Sequence, residues 1–179
     1  MTDQPRVALS AATEVDAPVL ANLLELYIHD LSPAFPDIAL GSDGRFGYQH
    51  LPLYWSEPGR RFPFLIRAGA QVAGFALVTR GVLTSSDPDE FDVAEFFVMR
   101  RHRRSGVGRE AATLLWQRLP GRWTVRVSEG NVKGLQFWAA VTAEFTGGTS
   151  LETTRPGLLH PWRVFSFSSE GWERRDEAT

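Results

Sequence analysis

The sequence predicts a single α/β domain built on one mixed sheet. Its 179 residues match the length of one domain rather than two. A hydrophobic fraction of 43%, with 12 Phe, 6 Trp and 3 Tyr, is enough to fill a core and excludes wholesale disorder. Apolar runs of strand length alternate with segments of helical period, in the order helix, irregular segment, hairpin, strand, helix, strand, helix, strand.

The first helix starts near Asp16, which can cap it, with Pro18 in its first turn. Val19, Leu20, Leu23, Leu24, Tyr27, Ile28 and Leu31 then recur at helical spacing. From Ser32 to Pro63 that pattern dissolves into Pro, Gly and aromatics, a long irregular segment of the kind that usually serves function. Phe64 to Arg67 and Val72 to Thr79 read as two strands of a hairpin joined by Ala68 to Gln71. Phe91 to Met99 is a further strand. Gly106 to Leu119 places Val107, Ala111, Leu114, Leu115 and Leu119 on one helical face, with Ser105 as expected cap and Pro120-Gly121 as stop. A strand from Trp123 to Val127, a helix from Asn131 to Val141 and a strand from Trp162 to Phe167 complete the order. The polar tail, 168–179, is expected to fray. No repeat or low-complexity tract divides the chain, so residues 1–179 read as one domain.

Composition narrows the function. Nineteen basic and 21 acidic residues give a net charge of −2, which argues against a dedicated nucleic-acid binder. Lys133 is the only lysine. With no cysteine there is no disulfide framework and no thiolate chemistry, and His29, His50 and His160 lack metal-ligand spacing, so no metal is expected. No apolar stretch approaches the roughly 18 residues of a membrane span, and the first residues do not resemble an export signal. These features predict a cytoplasmic protein without a membrane partner.

The chemistry concentrates at Arg100 to Arg109, where five arginines stand in ten residues between a strand and a helix. Gly106 and Gly108 let the backbone turn and approach a ligand closely. A helix N-terminus offers unpaired amides and a positive dipole end, so the segment suits a phosphate. The plainer reading is a solvated basic turn. A Walker loop fails, because no lysine follows the glycines. A Rossmann-type dinucleotide site fits Gly106-x-Gly108-x-x-Ala111 formally, with Glu129 downstream. Met99 to Ser105, however, separates strand from glycine where that fold needs a direct turn.

A third comparison fits better. Arg103-Arg104-Ser105-Gly106-Val107-Gly108, between a strand ending at Val98 and an amphipathic helix, resembles the acyl-CoA loop of the GNAT superfamily of N-acyltransferases. Asn131-x-x-Gly134-x-x-Phe137-Trp138 resembles that family's following Asn-bearing helix. The resemblance covers about Phe64 to Phe145. It implies a mostly antiparallel, twisted sheet with a splayed central strand pair, acetyl-CoA as co-substrate, and an amine as acceptor. It further implies pantetheine along Phe96, Phe97, Val98 and Met99, pyrophosphate against Arg103 to Arg109, a contact from Asn131, and a homodimer as one assembly to consider.

The family's reaction is attack of a neutral amine on a thioester, which needs a base and a donor for the carbonyl oxygen. A strand N–H at Val98 or Met99 is the expected donor. Glu95 and Asp92 are the candidate bases, and strict alternation puts them on opposite faces. Glu95 interrupts an apolar stretch, where an unpaired charge is costly and therefore often functional. The plainer reading of either acid is a partner for an arginine. Tyr27, Tyr48, Tyr54 and Trp55 are candidates for the acceptor wall, with core packing as the alternative. Where many members carry a tyrosine acid, this chain has Trp138, which leaves a non-catalytic acyl-CoA-binding module as the competing reading. Finally, Ser85 to Glu95 holds five acids and no base. A field from that end would attract a cationic small-molecule or peptide amine.

Overall fold

A computed structural model describes residues 6–81 and 87–171. One seven-stranded sheet, in the order β1-β2-β3-β4-β5-β7-β6, contains β1 (Val7–Ala11), β2 (Arg61–Ala68), β3 (Gln71–Arg80), β4 (Phe91–Val98), β5 (Arg122–Ser128), β6 (Leu151–Arg155) and β7 (Trp162–Ser168). Every neighbouring pair is antiparallel except β4 and β5. Four helices flank it: α1 (Ala17–Leu31), the single turn α2 (Leu53–Ser56), α3 (Val107–Arg118) and α4 (Val132–Thr146). The architecture is the mixed, mostly antiparallel sheet that the sequence predicts.

Three elements go beyond the sequence expectation. β1 is too short to show a period. β6 is exposed along its whole length, so no apolar alternation marks it, and α2 is one turn inside the segment read as irregular. β2 also begins three residues before Phe64, because Pro63 sits within it, opposite Leu77. The Ser168 to Thr179 tail falls mostly at 172–179, outside the described residues.

The sheet has two differently used faces. On one, Trp116 and Leu115 of α3 and Trp138, Val141 and Phe145 of α4 pack against Phe91, Val93, Trp123 and Val125. On the other, Leu20, Leu23 and Leu24 of α1 and Tyr54 of α2 cover Leu65, Phe75, Leu77 and Phe97. β4 lies at the centre of both cores. Its backbone ladder to β5 has two rungs, Phe91 with Trp123 and Asp92 with Thr124, and the strands then diverge. This is the expected splay.

Strict alternation does not hold along β4. Leu77 pairs with Glu95 and Val78 with Val93, so Ala94 is an extra residue and the strand bulges there. Such a bulge shifts every later side chain by one face. Asp92 and Glu95, expected on opposite faces, both lie on the α1 side. No Gly or Pro in the strand announces the bulge.

Candidate active site

Glu95 stands at the middle of the α1 face with no arginine on it. Its Oε2 accepts a 2.6 Å hydrogen bond from the Tyr27 hydroxyl of α1, and its Oε1 accepts one of 3.1 Å from Tyr48. Tyr54 packs in the same cluster, with its buried hydroxyl beside Tyr48 and Arg61. Trp55 packs at the edge of that core, so the four aromatics proposed as an acceptor wall do gather on one side. Burial raises the Glu95 carboxyl above its ordinary value, against the Tyr27 and Tyr48 hydrogen bonds that lower it; Asp92 adds to the rise and Arg126 opposes it. Burial first, then the Glu95 charge, pushes the hydroxyls of Tyr27, Tyr48 and Tyr54 up, so all three remain donors. Glu95 itself is only partly buried.

Asp92 is placed differently. It is 1% exposed, and its Oδ1 and Oδ2 accept bonds of 3.1 and 2.6 Å from Nε and Nη2 of Arg126 on β5. Both oxygens are occupied and shielded, which suits a structural charge and not a proton acceptor for a substrate.

The acids expected to project a field are paired off. Asp89 bonds Arg80, Asp87 bonds Arg122, and Glu90 accepts from the Thr124 hydroxyl. With Asp92 on Arg126, Glu90 and Glu95 are the two described acids of that segment held by hydroxyls and not by an arginine. The focusing of cations toward the strand loses most of its carriers.

Backbone groups of β4 are sorted by the ladder. The Met99 N–H donates to the Ala73 carbonyl at 2.8 Å, so it is not free for a substrate. In an antiparallel ladder the neighbouring residue then points its N–H and C=O the other way. Val98 therefore turns both toward the opening left by β5, and its carbonyl takes a 2.6 Å bond from Arg103 Nε. Of the two expected carbonyl donors, only Val98 is placed to act.

The arginine loop is partly anchored. Arg100 and Arg103 both grip Asp30 at the end of α1, each with a 2.6 Å bond, and the Arg103 guanidinium lies 5.4 Å from the centre of the Phe97 ring. Arg109 pairs with Glu144 of α4. Arg101 and Arg104 have no ion pair among the described residues. Ser105 does not cap α3, because its hydroxyl donates to the His102 carbonyl; Gly106, at φ 82°, is the N-cap residue. Arg104 shares that left-handed region at φ 62°, a costly backbone for a side-chain-bearing residue. The amides of residues 104–109 make no hydrogen bond within the described protein. Gly108 is needed for packing as well, since a Cβ there would sit 3.2 Å from the Phe137 ring. Asn131 caps α4 by accepting from the Gly134 N–H, which commits its oxygen and leaves its amino group open. Trp138, at the position of the missing tyrosine, is buried against Phe96 in the core.

Asp30 and Arg126 were not among the candidates. Their partners lie 70 and 34 residues away in sequence, and no local pattern marks them. Partial burial alone would raise Asp30, but the bonds from Arg100 and Arg103 outweigh it and hold its carboxyl below the usual range. A lowered value means that the pairs stabilise the fold above the unfolded Asp value of about 3.9 and stop doing so as pH falls through the folded value. Asp30→Asn is expected to lower Tm at pH 7 by an amount worth under about 1 kcal/mol. The gap should close below about pH 4. A gap that stays constant across pH would contradict the assignment.

No protein-family profile matches the chain, and no curated protein is similar to it in sequence. Solved structures are. An acetyltransferase from Thermus thermophilus is 18% identical with a TM-score of 0.64, over 93% of this chain and 99% of that one. Spermidine N-acetyltransferase from Vibrio cholerae, in complex with CoA and spermine, is 12% identical with a TM-score of 0.62, over 91% and 95%. An aminoglycoside acetyltransferase in complex with coenzyme A is 14% identical with a TM-score of 0.67, again over 91% and 95%. The chain has the fold of the GNAT acetyltransferases. Among the described residues no helix is long and apolar enough to cross a membrane, and no cluster of His, Asp or Glu could hold a metal ion.

Proposed function

We propose that this protein is an N-acetyltransferase that moves the acetyl group of acetyl-CoA to a primary amine on a small molecule or peptide, with Glu95 as general base. The observation that carries the reading is Glu95 itself: a raised, partly buried carboxylate held by two tyrosines. It lies three residues before a strand N–H that faces the β4/β5 opening. The free amides of residues 104–109, with Arg101 and Arg104, suit the pyrophosphate of CoA. Arg103, bound to Asp30 and Val98, shapes the loop instead.

In this reading Glu95 accepts the proton of the incoming ammonium. The neutral nitrogen forms its bond to the thioester carbon, while the Val98 N–H donates to the carbonyl oxygen as negative charge develops there. The carbon–sulfur bond then breaks, CoA leaves as thiolate, and the nitrogen gives up its second proton to water as the neutral amide forms. Trp138 supplies no proton, but a thiol value near ~8.5 makes the thiolate a fair leaving group that water can protonate.

The acceptor's charge meets Glu95 and tyrosine hydroxyls, not an acidic strip. Fold neighbours that act on spermidine and on aminoglycosides support an amine acceptor, although at 12% and 14% identity they speak to the fold. The cytoplasm is the compartment this reading assigns to the reaction.

Thiol release from acetyl-CoA, measured across a panel of primary amines with mass spectrometry of the product, tests the proposal. Amine-dependent thiol with stoichiometric N-acetyl product is expected. Acetyl-CoA binding without amine-dependent thiol would instead support a binding module. Affinity for acetyl-CoA should also weaken about threefold or more as salt rises from about 0.05 to about 0.5 M, because exposed guanidiniums are screened. Salt-independent affinity would argue against phosphate binding at this loop.

A further inference from the structure

Asp92, which is buried, and Arg126, which is partly exposed, form a bidentate pair that no step of the proposed reaction uses. The pair has an unusual place: the ladder between β4 and β5 ends at Asp92 and Thr124, and Arg126 lies two residues further along β5. Its guanidinium reaches across the gap where the next backbone rung would be, so the pair ties the two strands at the mouth of their divergence. The bulge at Ala94 turns Asp92 onto the same face as Glu95. With regular alternation over the same residues, Asp92 and Glu95 would lie on opposite faces of the sheet.

The groups facing Glu95 can be named element by element. Tyr27 comes from α1, Tyr48 from the segment before α2, Tyr54 from α2, Asp92 from β4 and Arg126 from β5; β3 contributes the apolar Leu77 opposite it. The tyrosines are neutral donors. The formal charges acting on Glu95 are therefore one carboxylate and one guanidinium, bound to each other.

From this geometry we infer that Asp92 and Arg126 are positioning residues for Glu95: they hold β4 at the mouth of the opening and, by balancing each other's charge, keep either one from displacing the pH at which Glu95 becomes available as a base. The inference rests on the assignment of Glu95 as base, but its observable is the titration of Glu95 itself. Removing the Asp92 charge while Arg126 remains leaves a net positive neighbour and favours the Glu95 carboxylate. Removing both charges returns Glu95 to a neutral surrounding.

The test is a carbon-13 NMR titration of the Glu95 side-chain carboxyl in the full chain, its resonance identified by loss in Glu95→Gln. The parent, Asp92→Asn and the double variant Asp92→Asn with Arg126→Gln are compared, with the pH profile of kcat/KM recorded in parallel. Asp92→Asn should move the Glu95 midpoint down by about one pH unit, a shift expected for a nearby charge in a partly buried site. The double variant, which replaces the ion pair by a carboxamide pair, should return within roughly 0.3 units of the parent. The acid limb of kcat/KM should follow both. A pair that serves only as a structural clip would change Tm and leave the midpoint in place, and that result overturns the inference. Should Asp92→Asn fail to fold, a double variant that folds with a midpoint more than about one unit from the parent overturns it equally. A midpoint that moves while the activity limb does not would support the pair's role and overturn only the assignment of Glu95 as base.

Discussion

Glu95→Gln is expected to lower kcat by about 10²- to 10⁴-fold, the range for loss of a general base, while acetyl-CoA affinity stays within about twofold of the parent. The carboxamide keeps the shape; its oxygen accepts from one tyrosine and its amino group donates to the hydroxyl oxygen of the other, so folding should survive. What disappears is the acceptor for the ammonium proton. The parent's kcat/KM should fall as pH drops through the Glu95 value, which burial places above the ordinary glutamate range, because only the ionised form can take a proton. That acid limb should vanish in the glutamine variant. A variant retaining more than about a third of the parent rate would leave the role of base to another group.

Gly74→Ala is expected to have the largest effect on stability. Gly74 lies on β3 opposite Val98, and a Cβ there would meet the Phe97 carbonyl oxygen at 1.9 Å and the Val98 Cα at 3.0 Å. Both are backbone atoms of the central strand, so no side chain can swing aside. β3 and β4 would have to separate at the point where Phe97 and Val98 border the site. A cost of about 3 kcal/mol or more follows, equivalent to a Tm lower by roughly 8 °C for a chain of this length. The folded fraction should also turn over slowly, because the Val98 N–H moves with its strand. An unchanged Tm would show that the two strands are not packed as closely as described.

These two residues mark different degrees of legibility in the sequence. Glu95 was visible because a carboxylate inside the apolar run Phe91 to Met99 has a local, energetic oddity. The glycine-arginine loop was visible for a similar reason, its chemistry being written in consecutive residues. The long helix α1, the β2/β3 hairpin and α3 showed their period in the same local way. By contrast, the bulge at Ala94 leaves no trace in composition, and its effect was to reverse the relation between Asp92 and Glu95. The pairings of Asp92 with Arg126 and of Asp30 with Arg100 and Arg103 join segments far apart in the chain, so the sequence offered Asp92 an arginine partner only in general terms and offered Asp30 none. The acids before Val98 likewise read as a field until the partners of four of them on β3 and β5 were in view. β6 escaped because an edge strand with both faces exposed carries no hydrophobic alternation.

A crystal structure of the protein with CoA and an acceptor amine tests the proposed site most directly. The sulfur is expected beside the Val98 N–H in the opening between β4 and β5, with the pyrophosphate on the amides of residues 104–109. The acceptor nitrogen should lie on the α1 face within hydrogen-bond reach of Glu95, directly or through one water. An acceptor nitrogen bound to Asp92 in place of Arg126, or a sulfur on the side of β4 away from that opening, would contradict it.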